Sequence, residues 1–434
     1  MVSQSRTSTQ AYDLATDADL DPLLERIGDA HYVLLGEASH GTHEYYTWRS
    51  RISKRLIEEK GFSFIAVEGD WPDCYGINRF VKGYADTPAD VLDVLRGFTR
   101  WPTWMWANYE IAGLANWMRQ YNRRTTKQKA GFYGLDVYSL WESVETLHQV
   151  LQQQQDPKAV QLVSDVVECF EPYGEDERRY ARAVASLSGS CRQEVTALLR
   201  EIRQKAATYD HDPEASLNAE MNAWVAVDAE RYYESMYSPE EQSWNIRDRH
   251  MVSTLNRLMA HHGPDAKCIV WAHNTHIGDA RYTDMRYEGL VNVGQLVREQ
   301  HATSDVVLVG FGSFMGTVIA GNRWDAPMEV MTVPPARSGS IEALLHHESP
   351  TNRLLIFNGA GTDSRDSDTW LAQERGHRAI GVVYHPEREF GNYVSTTLTR
   401  RYDAFLYIDQ TRALHPLHLH PDPGQMPEGY PFGV

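Results

Sequence analysis

Three short stretches carry most of the residues that could move protons. GEASHGTHEYYTWR (36–49) holds Glu37, His40, His43, Glu44 and Arg49, and EGDWPD (68–73) holds Glu68 and Asp70. HNTHIGD (273–279) holds His273 and His276. A histidine hydrogen-bonded to a carboxylate is a base that works near neutral pH. It can deprotonate water while a second imidazole or a guanidinium steadies the oxyanion formed on the substrate. The chemistry this set suits is hydrolysis by an activated water, without a nucleophile from the protein. The candidate catalytic residues are therefore His40, Glu37, Glu68, Arg49, His273 and His276. Arg49 falls on the apolar side of its helix, between Tyr45 and Ile52, and a buried guanidinium needs carboxylates, which Glu37 and the EGD acid could supply.

Other site chemistries fit less well. A serine hydrolase carries GxSxG at a strand-to-helix elbow, and in GEASHG the serine, Ser39, is one place out of register. A zinc protease carries HExxH, and THEYYTW has Thr47 where the second histidine belongs. His273 and His276 with Glu37 or Glu68 could still form a two-histidine, one-carboxylate metal site, and that divalent-metal reading stays as a rival. GFGSFMG (310–316) has neither dinucleotide spacing nor a P-loop lysine, so no cofactor is expected there, and its Phe311, Phe314 and Met315 are read as pocket packing. His43 and Glu44 stand at even weight between structure and function, Asp136 reads as a helix N-cap, and His385 and the tail histidines read as structural.

The elements that must position these groups follow from the hydrophobic pattern. Each stretch leaves the end of a short apolar run: 32–35 before the first, 62–67 before the second, 267–272 before the third. Such runs read as buried strands, and ligands bind where loops leave the carboxyl ends of parallel strands. Further strands are expected at 129–135, 305–309, 354–357, 379–384 and 404–408. A helix is expected from 45 to 59, ended by Gly61, and a short amphipathic one over 12–30. Between 137 and 265 helical periodicity takes over, at 143–155, 157–170, 176–188, 192–207 and 215–236. The charges of 228–233 and 247–250 read there as solvated helix faces. The expected architecture is α/β: a three-layer core with a mainly parallel sheet, built from 1–136 and 266–434, and a large helical insertion or lid, 137–265, forming one side of a cleft. The run RWPTWMWANY (100–109) reads as a wall of aromatic surface or as interdomain packing. The final HPLHLHPDPGQMPEGYPFGV reads as a surface tail.

Composition bounds the rest. The chain has 434 residues, 42% hydrophobic and 23% charged, with net charge −17. A phosphate backbone is repelled by such a surface, so no nucleic-acid partner is expected. No apolar run reaches membrane-spanning length, and the polar N-terminus shows no signal-peptide pattern, so neither a membrane nor export is expected. Cys74, Cys169, Cys191 and Cys268 are scattered without a CxxC pair and read as thiols of a reducing cytoplasm.

The blocks GEASHGT, EGDWPD, HNTHIGD and VGFGS, in that order between about residues 32 and 417, resemble the signature blocks of the erythromycin esterase family. The resemblance implies hydrolysis of a macrolactone ester by water, hence macrolide resistance, with a small-molecule macrolide or other ester as substrate. It implies a three-layer α/β core with a large helical part and a deep cleft. It matches His40 to the family's general base, and Glu37, Arg49, Glu68, His273 and His276 to the remaining motif positions.

Overall fold

The computed structural model describes residues 9–153, 156–174, 177–186, 190–205, 213–236, 242–357 and 370–417. The chain divides into two compact units. The first comprises Met1–Ile65, Pro88–Gly131 and Ala266–Val434; the second comprises Ala66–Thr87 and Phe132–Asp265.

The strands are β1 (Thr9–Asp13), β2 (Tyr32–Leu35), β3 (Phe64–Asp70), β4 (Gly131–Asp136), β5 (Cys268–Trp271), β6 (Val306–Gly321), β7 (Met328–Val333), β8 (Arg353–Phe357), β9 (Glu374–Arg378), β10 (Tyr393–Thr397) and β11 (Ala404–Thr411). In the first unit the order is β1-β8-β11-β6-β2-β5, with β7 folded back on β6. The four central strands, β11, β6, β2 and β5, are parallel. Within this sheet the antiparallel pairs are β1 with β8, β8 with β11, and β7 with β6, and β9 and β10 form a separate antiparallel pair. The sheet is thus mostly parallel and the fold α/β, as the strand–helix alternation implies. All four residues of β2 and of β5 are buried, which is why they read as continuous apolar runs and not as alternating ones.

The register between β2 and β5 sets up the chemistry. Leu35 pairs with Trp271, so both strands end at the same level. Glu37 and His273 each follow their strand's last residue by two, and the two connections leave the same edge. Gly36 and Gly41 bracket the first connection for lack of room: a Cβ on Gly36 would run into the Asn274 side chain, and one on Gly41 into the backbone carbonyl of Ile319. The helix His43–Lys60 then carries Arg49 inward with Tyr45, Trp48, Ile52 and Leu56, and stops before Gly61.

Several expectations need correction. The stretch 12–30 is not one helix. It is β1, a 3₁₀ turn over Asp17–Leu20 and a helix over Asp21–Ile27. The Asp19 carboxylate accepts from the Ala15 and Thr16 backbone N–H groups and starts a new helical segment there, while Pro22 opens the next. The strand expected over 305–309 runs on through GFGSFMG to Gly321, so that motif is sheet and not a loop. Residues 379–384 form only isolated bridges, Ser39 with Ile380 and Gly321 with Val383. Trp104 and Trp106 are core residues and not an exposed wall; only Trp101 is half-buried, against the exposed Trp324 at 4.7 Å. The tail begins later than its composition implies, since His415 and Pro416, its first two residues, are buried; residues 418–434 lie outside the described residues.

The second unit is mainly helical. Its helix Ala215–Ser235 buries Ala219, Ala223 and Ala226 among Leu147, Val163, Phe170, Leu198 and Ile202. Alanines at that spacing let neighbouring helices approach, and residues are buried all round, so the helix is interior rather than amphipathic. Cys169 and Cys191 form a disulfide with a Cα–Cα distance of 5.9 Å, so these two are not the separate thiols read from their spacing. Among the described residues no helix is long and apolar enough to cross a membrane.

A buried polar cluster in this unit makes its stability depend on pH. Lys82 Nζ donates to Glu214 Oε1 at 2.7 Å and to the Tyr133 hydroxyl at 2.8 Å, and Asn78 Nδ2 donates to Glu214 Oε2 at 2.7 Å. His262 lies 3.1 Å from the Tyr133 hydroxyl. Burial, then the Lys82 charge, push the His262 imidazole down from 6.5 to about 3. A group whose folded value is depressed stabilises the fold fully above its unfolded value and loses that contribution as pH falls. Between pH 6.5 and 3 the unfolded chain binds a proton that the folded chain refuses, worth at most about 4–5 kcal/mol. The expected result is a melting temperature that declines steadily below pH 6.5, with a flatter decline in His262→Gln. Equal slopes for the two proteins between pH 6.5 and 5 would contradict it. The Glu214 carboxyl, held well below its ordinary value by His261 and Lys82 against its burial, adds its own loss only below about pH 4.5.

Candidate active site

At the exit of β2, the Glu37 carboxylate is fully buried and serves two partners. His40 Nδ1 lies 2.9 Å from its Oε1, and Arg49 Nη2 donates to its Oε2 at 2.6 Å. The guanidinium of Arg49 lies between two rings, 4.4 Å from the centre of Tyr46 and 4.6 Å from that of Trp271. Among the described residues its Nε and Nη1 have no hydrogen-bond partner. Arg49 is therefore held as a plate between aromatic faces with one carboxylate, not as a fork gripping two, and that corrects the expectation. A lysine ammonium has no flat face to offer these rings.

A carboxylate can only accept, so His40 carries a proton on Nδ1 and presents the lone pair of Nε2. At the exit of β5 the pattern is reversed. His273 caps the short helix Asn274–Ile277, and its Nδ1 accepts the Thr275 backbone N–H at 3.3 Å and lies 2.8 Å from the Thr275 hydroxyl. A backbone amide can only donate, so Nδ1 is the lone-pair atom and the neutral ring carries its proton on Nε2. The two rings are neighbours, their centres 5.0 Å apart and tilted by 44°. One buried imidazole set up to accept a proton thus lies beside one set up to donate. His276, also buried, follows on the same short helix.

Asn274, between the two histidines, locks this connection to β6. Its Nδ2 donates to the Phe311 carbonyl at 2.7 Å and its Oδ1 accepts the Phe311 N–H at 3.2 Å, while its own N–H donates to the Glu37 carbonyl at 2.8 Å. Behind it, His377 Nδ1 lies 2.6 Å from Glu342 Oε1, both fully buried.

Glu68, expected just past its strand, is instead the fifth residue of β3 and lies in the second unit. Arg247 Nη2 donates to Glu68 Oε1 at 2.7 Å and to Asp136 Oδ2 at 2.6 Å, and its Nε donates to Asp136 Oδ1 at 2.9 Å. The forked guanidinium expected at Arg49 is found at Arg247, with its plane over Tyr138 at 4.7 Å. Burial alone would raise the Asp136 carboxyl; the Arg247 charge outweighs it and holds the group below its ordinary value. Asp136 is thus an ion-pair partner, while the helix it was expected to cap begins at Leu140. Arg247, Asp248 and His250 were read as solvated charges but are buried, and His250 Nδ1 lies 2.7 Å from Asp228 Oδ2. Their positions on one face of the helix Ser243–His262 carried a signal, since an i, i+1, i+3 cluster among apolar residues can point inward. Ser39 is buried with its hydroxyl against that of Thr42, and Glu44 binds Arg412 Nε at 2.9 Å.

The sequence pattern of the erythromycin esterase family matches residues 57–411. The chain belongs to the erythromycin esterase family. The matched span contains Glu68, His273 and His276 and begins after the first motif, whose place in the site rests on the geometry above. Among curated relatives, an Escherichia coli protein named erythromycin esterase type II is 22% identical over 80% of this chain and 85% of its own. A Bacillus subtilis protein named putative hydrolase YbfO is 21% identical over 83% and 81%. A Bacillus cereus protein superposes with a TM-score of 0.76 at 20% identity, covering 94% of this chain and 97% of that one. An erythromycin esterase mutant, EreC in its open conformation, superposes at 0.64 with 15% identity, covering 93% and 98%. Likeness at these identities establishes the fold of this erythromycin esterase family member, and the family membership supports a hydrolase acting on a small-molecule ester with water.

Proposed function

We propose that this chain opens the lactone ester of a macrolide and so protects its host from such antibiotics. The observation that carries the reading is that two neighbouring imidazoles meet opposite partners at Nδ1, the Glu37 carboxylate for His40 and the Thr275 backbone N–H for His273, which assigns them opposite tautomers. His40 Nε2 takes a proton from water, and the resulting hydroxide adds to the lactone carbonyl carbon. The carbonyl oxygen gains the negative charge and accepts a hydrogen bond from His273 Nε2–H. The intermediate collapses, the ring C–O bond breaks, and the leaving alkoxide takes the proton back from the His40 imidazolium. Glu37 orients His40 and balances its charge while protonated, and Arg49 holds Glu37. Glu68, fixed by Arg247 within the second unit, and His276, one helical turn from His273, are given no proton-transfer step. The step needs no metal at these residues.

Incubation with erythromycin, followed by mass spectrometry, tests the reading: the expected product is heavier by one water. Intact antibiotic across a panel of macrolactones would end the substrate assignment. A second reading keeps the chemistry and changes the ester. It is favoured by the near-equal likeness to the relative named only a putative hydrolase. Turnover of a simple ester or acyl-conjugate panel with macrolides untouched would select it.

A further inference from the structure

Away from the proton-transfer residues, three buried side chains of the first unit converge without a role: His43, Glu110 and His415. They come from the start of the helix His43–Lys60, the start of the helix Tyr109–Arg124, and the last described segment. His43 Nδ1 and His415 Nδ1 each lie 2.7 Å from Glu110 Oε1, and one ligand atom from each residue falls within 4.8 Å of the others. All three residues are buried.

Two observations point to a cation among them. Thr47 Oγ1 donates its single hydrogen to the His43 carbonyl at 3.1 Å, so toward His43 Nε2, 3.3 Å away, it can only accept. That places a proton on His43 Nε2 and, in the neutral ring, turns the lone pair of Nδ1 toward the Glu110 carboxylate. A lone pair facing a carboxylate oxygen at 2.7 Å is repulsive unless a proton or a metal ion lies between. Second, among the described residues Glu110 Oε2 is buried with no hydrogen-bond partner, as is His415 Nε2. An unsatisfied buried carboxylate oxygen is destabilising, and a second metal–oxygen bond removes the problem.

We propose that His43, Glu110 and His415 bind one divalent cation, zinc by the softness of the two imidazoles and the low coordination number, as a structural centre separate from the hydrolytic residues. The centre ties down the chain end. Backbone bonds from Leu414 N to the Gly41 carbonyl, His43 N to the Arg412 carbonyl and Tyr109 N to the His415 carbonyl already run along the same segment. The ion therefore stabilises the connection that carries His40.

The test is zinc stoichiometry by elemental analysis, with Co²⁺ titration of chelator-stripped protein followed by its visible absorption. One equivalent is expected, with a rise in melting temperature on zinc addition. His415→Gln keeps an N–H donor for Glu110 but offers no good zinc ligand, which separates folding from metal binding; its zinc affinity is expected to drop more than about 100-fold. His40→Ala, His273→Ala and His276→Ala are expected to keep the ion. Absence of zinc and cobalt binding in the wild-type chain would overturn the proposal and leave a proton-linked imidazole–carboxylate staple. So would unchanged zinc affinity in His415→Gln, or loss of zinc in His273→Ala with retention in His415→Gln.

Discussion

Replacing His40 with alanine is expected to lower kcat on the hydrolysed ester by about 10²–10⁴-fold, the usual worth of a positioned general base. The effect belongs in kcat, because the ring acts on water and not on the bound substrate. The geometry makes His40 hard to replace. Its Nδ1 is tied to Glu37, Glu37 to Arg49, and Arg49 is clamped between Tyr46 and Trp271, so the ring is oriented by a chain of buried contacts. Added imidazole is expected to restore part of the lost turnover in His40→Ala, since it supplies the missing base in the space the side chain leaves. A ring that only packed would give a variant insensitive to imidazole. Near-normal kcat in a folded His40→Ala protein would remove His40 from the mechanism.

The parts of this arrangement that could be read from the chain are those set by local pattern. Apolar runs ending in acid and imidazole marked β2, β3 and β5, and the parallel register then brings Glu37 and His273 to one edge. Arg49 was legible because its helical spacing puts it among Tyr45, Trp48 and Ile52. The parts that were not legible depend on partners distant in sequence. Glu110 looks like an ordinary first-turn acid of a helix, and only folding brings it to His43 and His415. Arg247 looks like one charge among several until Asp136 and Glu68 close on it. β6 was underestimated because GFGSFMG has the composition of a loop. Its glycines sit in a strand because bulky neighbours press on it: the ring of Tyr402 occupies the space a Cβ on Gly310 would need. The Cys169–Cys191 pair was missed because spacing says nothing of which helices pack together.

Replacing His273 with alanine is the second large effect expected, a fall of about 10²–10³-fold in kcat with little change in KM, the range for removing one oxyanion donor. The argument rests on what the backbone permits. Because the Thr275 N–H points at Nδ1, His273 cannot place its neutral-ring proton there without facing two donors together. Its Nε2–H is thereby fixed, and the short helix that fixes it is itself bolted to β6 through Asn274 and Phe311. A donor held this way need not reorganise as charge develops on the substrate oxygen. His273→Gln keeps an amide N–H but loses the cap that aims it, so it is expected to fall between wild type and alanine. That order, histidine above glutamine above alanine, separates a hydrogen-bond donor from a base, for which glutamine would be as poor as alanine. If glutamine and alanine prove equally inactive, His273 works by taking a proton and the division of labour between the two imidazoles is the reverse of the one argued. If both variants retain wild-type kcat and change only KM, the ring binds substrate and another group must hold the oxyanion.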